Sequence, residues 1–178
     1  MTLRRRTVLG LGLAAGLSGC GFQPVYMPTA SGKPGVAQRE LAAITVANMG
    51  DRPGQELRQA LQERLERGAT GIPQLYTLTV AYGIGGDVIA IQPDNSSTRT
   101  RLVARASWFL ANLDTHALLT QGTARAVDAI NILDEQYFAA DQENDFAAQR
   151  LADQIADQIT LQLAAYFRHR DLATAARG

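Results

Sequence analysis

The chain has 178 residues, which is enough for one domain with its own core, and its 17 basic and 17 acidic side chains leave no formal net charge. A nucleic-acid-binding protein would show a basic excess, which is absent, so the sequence predicts no nucleic-acid partner. The single cysteine, Cys20, excludes an internal disulfide framework.

The first 19 residues predict a secretory signal. Arg4, Arg5 and Arg6 precede a short apolar run over residues 8–17, and a membrane-spanning helix would need roughly 20 such residues. Without residues 1–19, which hold three arginines and no acids, 14 basic and 17 acidic residues remain, for a net charge of about −3. The arginines suit general secretion and twin-arginine export equally, so both routes stay open.

The stretch Leu17-Ser18-Gly19-Cys20 resembles the bacterial lipobox, in which the chain is cut before the cysteine and the cysteine is acylated. Several acyl chains anchor a protein firmly where one chain is marginal, so we expect Cys20 to be a lipid anchor. The alternative is an ordinary signal with a cysteine near its cut site. Gly21 stands where enteric lipoproteins retained at the inner membrane carry aspartate, which favours the outer membrane.

After the anchor, residues 20–38 predict a lipidated tether, because three prolines and three glycines interrupt any periodicity. Residues 41–49 predict a short strand. Pro53 suits the first turn of a helix. An amphipathic helix is predicted there because leucines recur four residues apart, at Leu57, Leu61 and Leu65.

Three segments with alternating apolar residues predict a strand meander over residues 74–92, 98–114 and 118–133. Glycines in the first of them suggest a bulge or bend, at Gly83, Gly85 and Gly86. Residues 93–97 predict the loop tip between the first two strands.

A long amphipathic helix of about 25 residues is predicted from near Asp141, followed by a flexible tail over residues 171–178. Its apolar residues are spaced by four, at Ala147, Leu151, Ile155, Ile159, Leu163 and Phe167. The order β-α-β-β-β-α predicts an α+β fold, a two-layer sandwich in which two amphipathic helices cover one face of one mixed four-stranded sheet. This single domain is expected over residues 39–170.

Three arginines share the sheet face that the helices would leave bare. Arg99, Arg101 and Arg105 are separated by even numbers of residues, which places their side chains on the same side of one strand. Guanidinium groups bind phosphate bidentately, so the row is a candidate anion site, and lipid A phosphate is the anion most available to an outer-membrane lipoprotein. The alternative is a solvated sheet face with ordinary charges.

The sequence predicts no enzyme, no metal and no cofactor. His116 in a predicted turn and His169 near the end of the last helix do not share a metal-ligand spacing. An acylated cysteine leaves no thiol nucleophile, and no nucleophile elbow, phosphate-binding loop or dinucleotide fingerprint is present. The acidic residues between 134 and 145 fit a solvated helix start better than a catalytic carboxylate pair.

The stretch Cys20-Gly21-Phe22-Gln23-Pro24-Val25-Tyr26 resembles the C-G-F-x-P-x-Y start of the LptE family of lipopolysaccharide-assembly lipoproteins. More generic patterns follow in the order seen in that family, at Gln55–Leu61, Thr98-Arg99 and Phe146-Ala147. The resemblance covers most of residues 20–168.

The resemblance implies an outer-membrane lipoprotein that faces the periplasm and a barrel lumen. Members are similar in acting as plug and assembly partner of the large β-barrel LptD, and in binding lipopolysaccharide. The anchor, the small α+β domain and the lack of catalytic residues also fit an alternative, an accessory lipoprotein of another envelope lipid-transport complex.

Overall fold

The computed structural model describes residues 35–66, 71–91, 97–131 and 137–176. The predicted signal over residues 1–19, Cys20, most of the predicted tether and residues 93–96 of the predicted loop tip lie outside these ranges. The described elements, in chain order, are α1 (Val36–Ala42), β1 (Ile44–Val46), α2 (Arg52–Leu65), β2 (Tyr76–Ile91), β3 (Ser97–Asn112), β4 (Leu118–Asn131) and α3 (Tyr137–Ala175).

The strands form one four-stranded sheet in the order β1-β2-β3-β4. β1 runs parallel to the start of β2, pairing Ile44–Val46 with Tyr76–Leu78, and the other neighbours are antiparallel. The three described helices and the mixed sheet confirm the predicted α+β fold.

The core lies between the helices and one face of the sheet. β3 contributes its even-numbered residues to this core, namely Ala104, Ala106, Trp108 and Leu110. The predicted leucine and isoleucine stripes are confirmed, because each of these residues is at most 1% exposed: Leu57, Leu61, Leu65, Leu151, Ile155, Ile159 and Leu163. Burying one such side chain contributes about 1.5–3 kcal/mol before entropy is counted.

The start of the domain differs from the sequence prediction. Residues Val36–Ala42 form a helix across the end of the predicted tether and the start of the predicted first strand, and β1 is only 3 residues long. A seven-residue helix is too short to be stable alone, so tertiary contacts must hold it.

A cluster of polar and aromatic side chains supplies part of these contacts, beside the buried apolar residues of α1. The Tyr76 hydroxyl donates to Glu40 Oε2 at 2.7 Å, and Arg170 Nη2 donates to the Tyr76 hydroxyl at 3.0 Å. Arg170 Nη2 also lies 2.9 Å from Glu40 Oε2, and its guanidinium carbon is 4.9 Å from the centre of the Phe167 ring. The cluster therefore ties α1 to β2 and α3.

Two further elements depart from their predicted limits. α3 has 39 residues and continues to Ala175, through residues that were predicted as part of the tail. In β2 the register is regular across Gly83, Gly85 and Gly86 and shifts only between Val88 and Ile91. The predicted position of a bulge at the glycines is therefore wrong.

Candidate functional site

The face of the sheet that points away from the helices, here called the open face, carries the predicted arginine row. Arg99, Arg101 and Arg105 alternate with the core residues of β3 and are all exposed. Their common side of the strand is as predicted, because the strand continues without interruption through all three. The surroundings of the three side chains nevertheless differ.

Arg101 is neutralised by an acid on the neighbouring strand. Asp87 lies directly opposite it in the β2–β3 ladder, and Arg101 Nη2 donates to Asp87 Oδ2 at 3.1 Å. Both side chains are about half exposed, so solvent screens the pair and its contribution to stability is small. Arg101 is therefore the member of the row with a carboxylate already in place.

Arg105 has a like charge beside it instead. Its partner in the β3–β4 ladder is Arg125, and its partner on β2 is Gly83, which has no side chain. Directly opposite residues have their Cβ atoms about 4.5–5.5 Å apart, and like charges at that separation destabilise the sheet. Neither guanidinium forms an ion pair within the described residues, so Arg105 and Arg125 make a positive pair without a counter-charge there.

The sequence analysis missed Arg125 because its position depends on the strand register. The turn between β3 and β4 sets that register. Asn112 Oδ1 accepts hydrogen bonds from the backbone N–H groups of Asp114 and Thr115, at 3.0 and 2.9 Å. His116 follows in the left-handed region, with φ at 56°. The ladder then shifts by one residue between Leu110 and Ala111, and this shift brings Arg125 opposite Arg105.

A trough of about 630 Å³ lies on the open face next to this positive pair. Ser107 and Thr123 are the next open-face residues of β3 and β4 after the two arginines, and both line the trough. Among the lining residues on the open face, Phe109 has the largest apolar side chain, and its surface is 45% exposed. The remaining open-face lining is small or polar: Thr79, Ala81 and Gln121.

The open face therefore combines two binding elements. The arginine pair can accept a phosphate or carboxylate, and the adjoining trough offers apolar surface around Phe109. An amphipathic anion matches this combination better than a fully polar ligand does. Arg99 lies farther along the same face, opposite Asn131, and adds a third positive charge without an ion pair among the described residues.

The described residues show no centre for metal chemistry, since they contain no group of three or more His, Cys, Asp or Glu side chains that could hold an ion. His116 lies exposed in the β3–β4 turn, as predicted, and His169 lies exposed near the end of α3. Among the same residues, every helix is too short or too polar to span a lipid bilayer.

Fold and site together define a two-layer α+β domain that packs its helices on one sheet face and carries an arginine pair beside a trough on the other. The chain belongs to the LptE family, described as lipopolysaccharide-assembly, which matches residues 41–163. This confirms the resemblance found in the sequence and makes the chain a lipopolysaccharide-assembly protein.

Solved structures of bacterial lipoproteins are similar to this chain. A lipoprotein of Caulobacter crescentus CB15 has a TM-score of 0.61 at 21% identity, over 74% of this chain and 96% of that one. Rare lipoprotein B of Shewanella oneidensis has a TM-score of 0.52 at 12% identity, over 72% and 96%. A minor lipoprotein of Acinetobacter baumannii has a TM-score of 0.52 at 17% identity, over 68% and 88%.

At these identities the neighbours show a common fold rather than a common ligand. No curated protein matches the sequence. Family membership and the lipoprotein neighbours together support a lipopolysaccharide-assembly lipoprotein of the cell envelope.

Proposed function

We propose that this chain is an outer-membrane lipoprotein, anchored through an acylated Cys20, that works with the β-barrel LptD in the insertion of lipopolysaccharide. The LptE family match over residues 41–163 carries this proposal. The lipobox-like sequence ending at Cys20 supports the anchor, and the open face offers surface for a ligand or partner. We expect the domain to act as plug and assembly partner rather than as an enzyme.

The barrel partnership is tested by affinity purification. The full chain, with a tag at its C-terminus, is purified from its own membranes in a mild detergent. Co-purification of a large outer-membrane β-barrel in equal amount supports the proposal. Recovery of inner-membrane transporter subunits alone would instead favour an accessory lipoprotein of another envelope lipid-transport complex.

The anchor is tested by mass spectrometry of the N-terminal peptide from the membrane-bound protein. We expect cleavage before Cys20 and added acyl chains on that residue, with both lost in the Cys20→Ala variant. Cys20 found with an unmodified thiol in the native membrane would contradict the proposed anchor.

We propose further that the open face binds the phosphates of lipopolysaccharide. The predicted row of Arg99, Arg101 and Arg105 is revised by its surroundings. Arg105 and Arg125 form the centre of the proposed site, because they face each other without a counter-charge, whereas Arg101 already has Asp87 as an ion partner. Arg99 stays a candidate. Acyl chains would lie along the trough beside Phe109.

The binding test compares variants with the same change in charge. We expect Arg105→Gln/Arg125→Gln to weaken binding of lipid A strongly, and Arg99→Gln/Arg101→Gln to weaken it less. The matched control, Arg39→Gln/Arg168→Gln, removes two charges from the helix layer and should bind like the unchanged protein. Lipid A without its phosphates should bind weakly to every variant. Equal binding by all variants would leave the row as a solvated sheet face.

A further inference from the structure

The two edges of the sheet differ in whether their main-chain hydrogen-bonding groups have partners. On the β4 edge, two glutamines of α3 take the place of a neighbouring strand. Gln158 Oε1 accepts from Arg125 N at 3.2 Å, and Gln158 Nε2 donates to Arg125 O at 3.0 Å. Gln162 Nε2 donates to Thr123 O, also at 3.0 Å. Side-chain amides thus satisfy main-chain groups that would otherwise be available to another chain.

The β2 edge lacks such a cover over most of its length. β1 pairs with only three residues of β2, ending at Leu78, whose carbonyl accepts a hydrogen bond from Ala47 N at 2.9 Å. That bond shows that the N–H and C=O groups of Leu78 point away from β3, towards this edge. Because the direction alternates along a strand, those of Val80, Tyr82 and Ile84 point the same way. Within the described residues these groups have no main-chain partner.

The surfaces beside this edge specify what would fit against it. On the helix side, Val80 is buried and Tyr82 and Ile84 are half-buried against the core. An added strand would therefore extend an apolar layer there. On the open face, a side chain at Gly83 or Gly85 would meet no atom within 4 Å, which leaves room for long side chains of a neighbouring strand.

Charge makes the requirement more specific. Arg105 lies beside Gly83 in the ladder and has no ion pair within the described residues. A carboxylate on an added strand, placed opposite Gly83, could reach across this bare position to the guanidinium. A second copy of this chain would not supply an unpaired carboxylate. An antiparallel pairing centred on Ile84 sets Gly85 opposite Gly83, and one centred on Gly85 sets Asp87 there, whose carboxylate already pairs with Arg101.

We propose that the free edge of β2 binds an extended segment of a different protein by strand addition. The segment presents apolar side chains beside Tyr82 and Ile84 and a carboxylate that pairs with Arg105. This interaction surface rests on sheet geometry and not on lipopolysaccharide binding. Its test uses neither the lipid nor the barrel, so its failure leaves the proposed function untouched.

The test uses the full chain in detergent and a synthetic peptide of about nine residues, a usual strand length. The peptide alternates threonine and valine and carries glutamate at its centre, on the threonine side; a second peptide has lysine there. Binding is followed by fluorescence anisotropy, and main-chain pairing by amide hydrogen exchange. We expect the glutamate peptide to bind and to protect the amides of Tyr82 and Ile84, with weaker binding of the lysine peptide.

Two variants separate edge pairing from unspecific adhesion. Ile84→Pro removes the outward N–H and should abolish binding, whereas Ile84→Ala keeps that N–H and should still bind. Arg105→Glu, an exposed change that does not touch the core, should reverse the preference between the two peptides. Its result decides the proposal even if the proline variant fails to fold.

Three results would overturn the proposal. One is unchanged binding to a folded Ile84→Pro variant, and another is equal affinity for the glutamate and lysine peptides. The third is a protein that sediments as a dimer with the Ile84 amide already protected, because a second copy would then occupy the edge.

Discussion

Gly122 on β4 shows how a single residue can be fixed by the side chains packed over it. A Cβ atom at this position would lie 2.7 Å from Trp108 Cζ2 and 2.7 Å from Gln162 Oε1. Trp108 is only 4% exposed, so the packed neighbours of Gly122 would have to shift. Glycine is required here by close approach and not by an unusual backbone angle.

We expect Gly122→Ala to lower the free energy of unfolding by roughly 1–3 kcal/mol, as overpacking in a core does. The control is Gly85→Ala on β2, where an added Cβ meets nothing within 4 Å. That change should be neutral or stabilising by roughly 0.5–1 kcal/mol, because alanine loses less entropy than glycine in a strand. Urea unfolding of both variants gives the comparison, and equal effects would contradict the packing argument.

Tyr82 makes stability depend on alkaline pH. Burial, followed by the charges of Glu56 and Asp51, raises the pKa of Tyr82 from 10.0 to about 12. The unfolded chain therefore releases this proton first as pH rises. The contribution of protonated Tyr82 to the free energy of unfolding is fully present below pH 10.0 and is lost as pH rises to about 12.

Tyr82→Phe should therefore flatten the fall of stability between these two pH values without lowering stability at neutral pH. The Tyr82 hydroxyl is buried and has no hydrogen-bond partner among the described residues, so its removal leaves no group unsatisfied. Some slope should remain, because burial also raises the pKa of Tyr76. An alkaline limb as steep as that of the unchanged protein, in thermal unfolding from pH 8 to 12, would contradict this assignment.

At the scale of the element, α3 separates buried and exposed leucines within one turn. Leu163 is 0% exposed in the core and Leu161 is 57% exposed on the outer side. Leu163→Ala should cost about 2–5 kcal/mol through lost transfer energy and a cavity. Leu161→Ala, the matched control with the same chemical change, should stay within about 0.5 kcal/mol of the unchanged protein. Chemical denaturation measures both, and similar losses would mean that α3 packs differently.

The length of each element decides how much of the fold could be predicted from the sequence. The long strands and the helix around Leu57, Leu61 and Leu65 were predictable, because each has enough residues for its periodicity to appear. α1 was not, since its seven residues lie between glycine and a short strand and depend on Arg170, which is far away in sequence. The extension of α3 to Ala175 was hidden because residues 171–175 are exposed and carry no apolar stripe.

The site could be predicted only in part, for a related reason. Period-two spacing places Arg99, Arg101 and Arg105 on one side of a strand without further knowledge. Which of them is neutralised depends on register across strands, which brings Asp87 to Arg101 and Arg125 to Arg105. The trough likewise combines residues of three strands, so no single segment of the sequence contains its pattern.

Across the whole molecule, β3 contributes residues to both faces of the sheet, and the two faces differ in their requirements. Its even-numbered residues fill the core, whereas its odd-numbered residues place Arg105 against Arg125 with no acid beside them among the described residues. Nothing in the folding of the domain alone requires this pair, and like charges directly opposite each other destabilise a sheet. A bound anion would neutralise both arginines, so that their mutual repulsion is replaced by attraction to the ligand.

Arg105→Gln should therefore make the isolated domain slightly more stable while weakening its stabilisation by lipopolysaccharide. The gain should appear in thermal unfolding at low ionic strength and shrink as salt is added, because exposed charges are screened over about 10 Å at 0.1 M salt.

Arg101→Gln is the control on the same strand. It removes an attraction to Asp87, so it should give no gain at any salt concentration. With lipopolysaccharide present, the unchanged protein should gain more in melting temperature than Arg105→Gln, because a ligand that binds more tightly stabilises the folded state more. A loss of stability in Arg105→Gln at low salt, or an equal gain in both variants, would show that Arg105 and Arg125 do not act as an unneutralised pair.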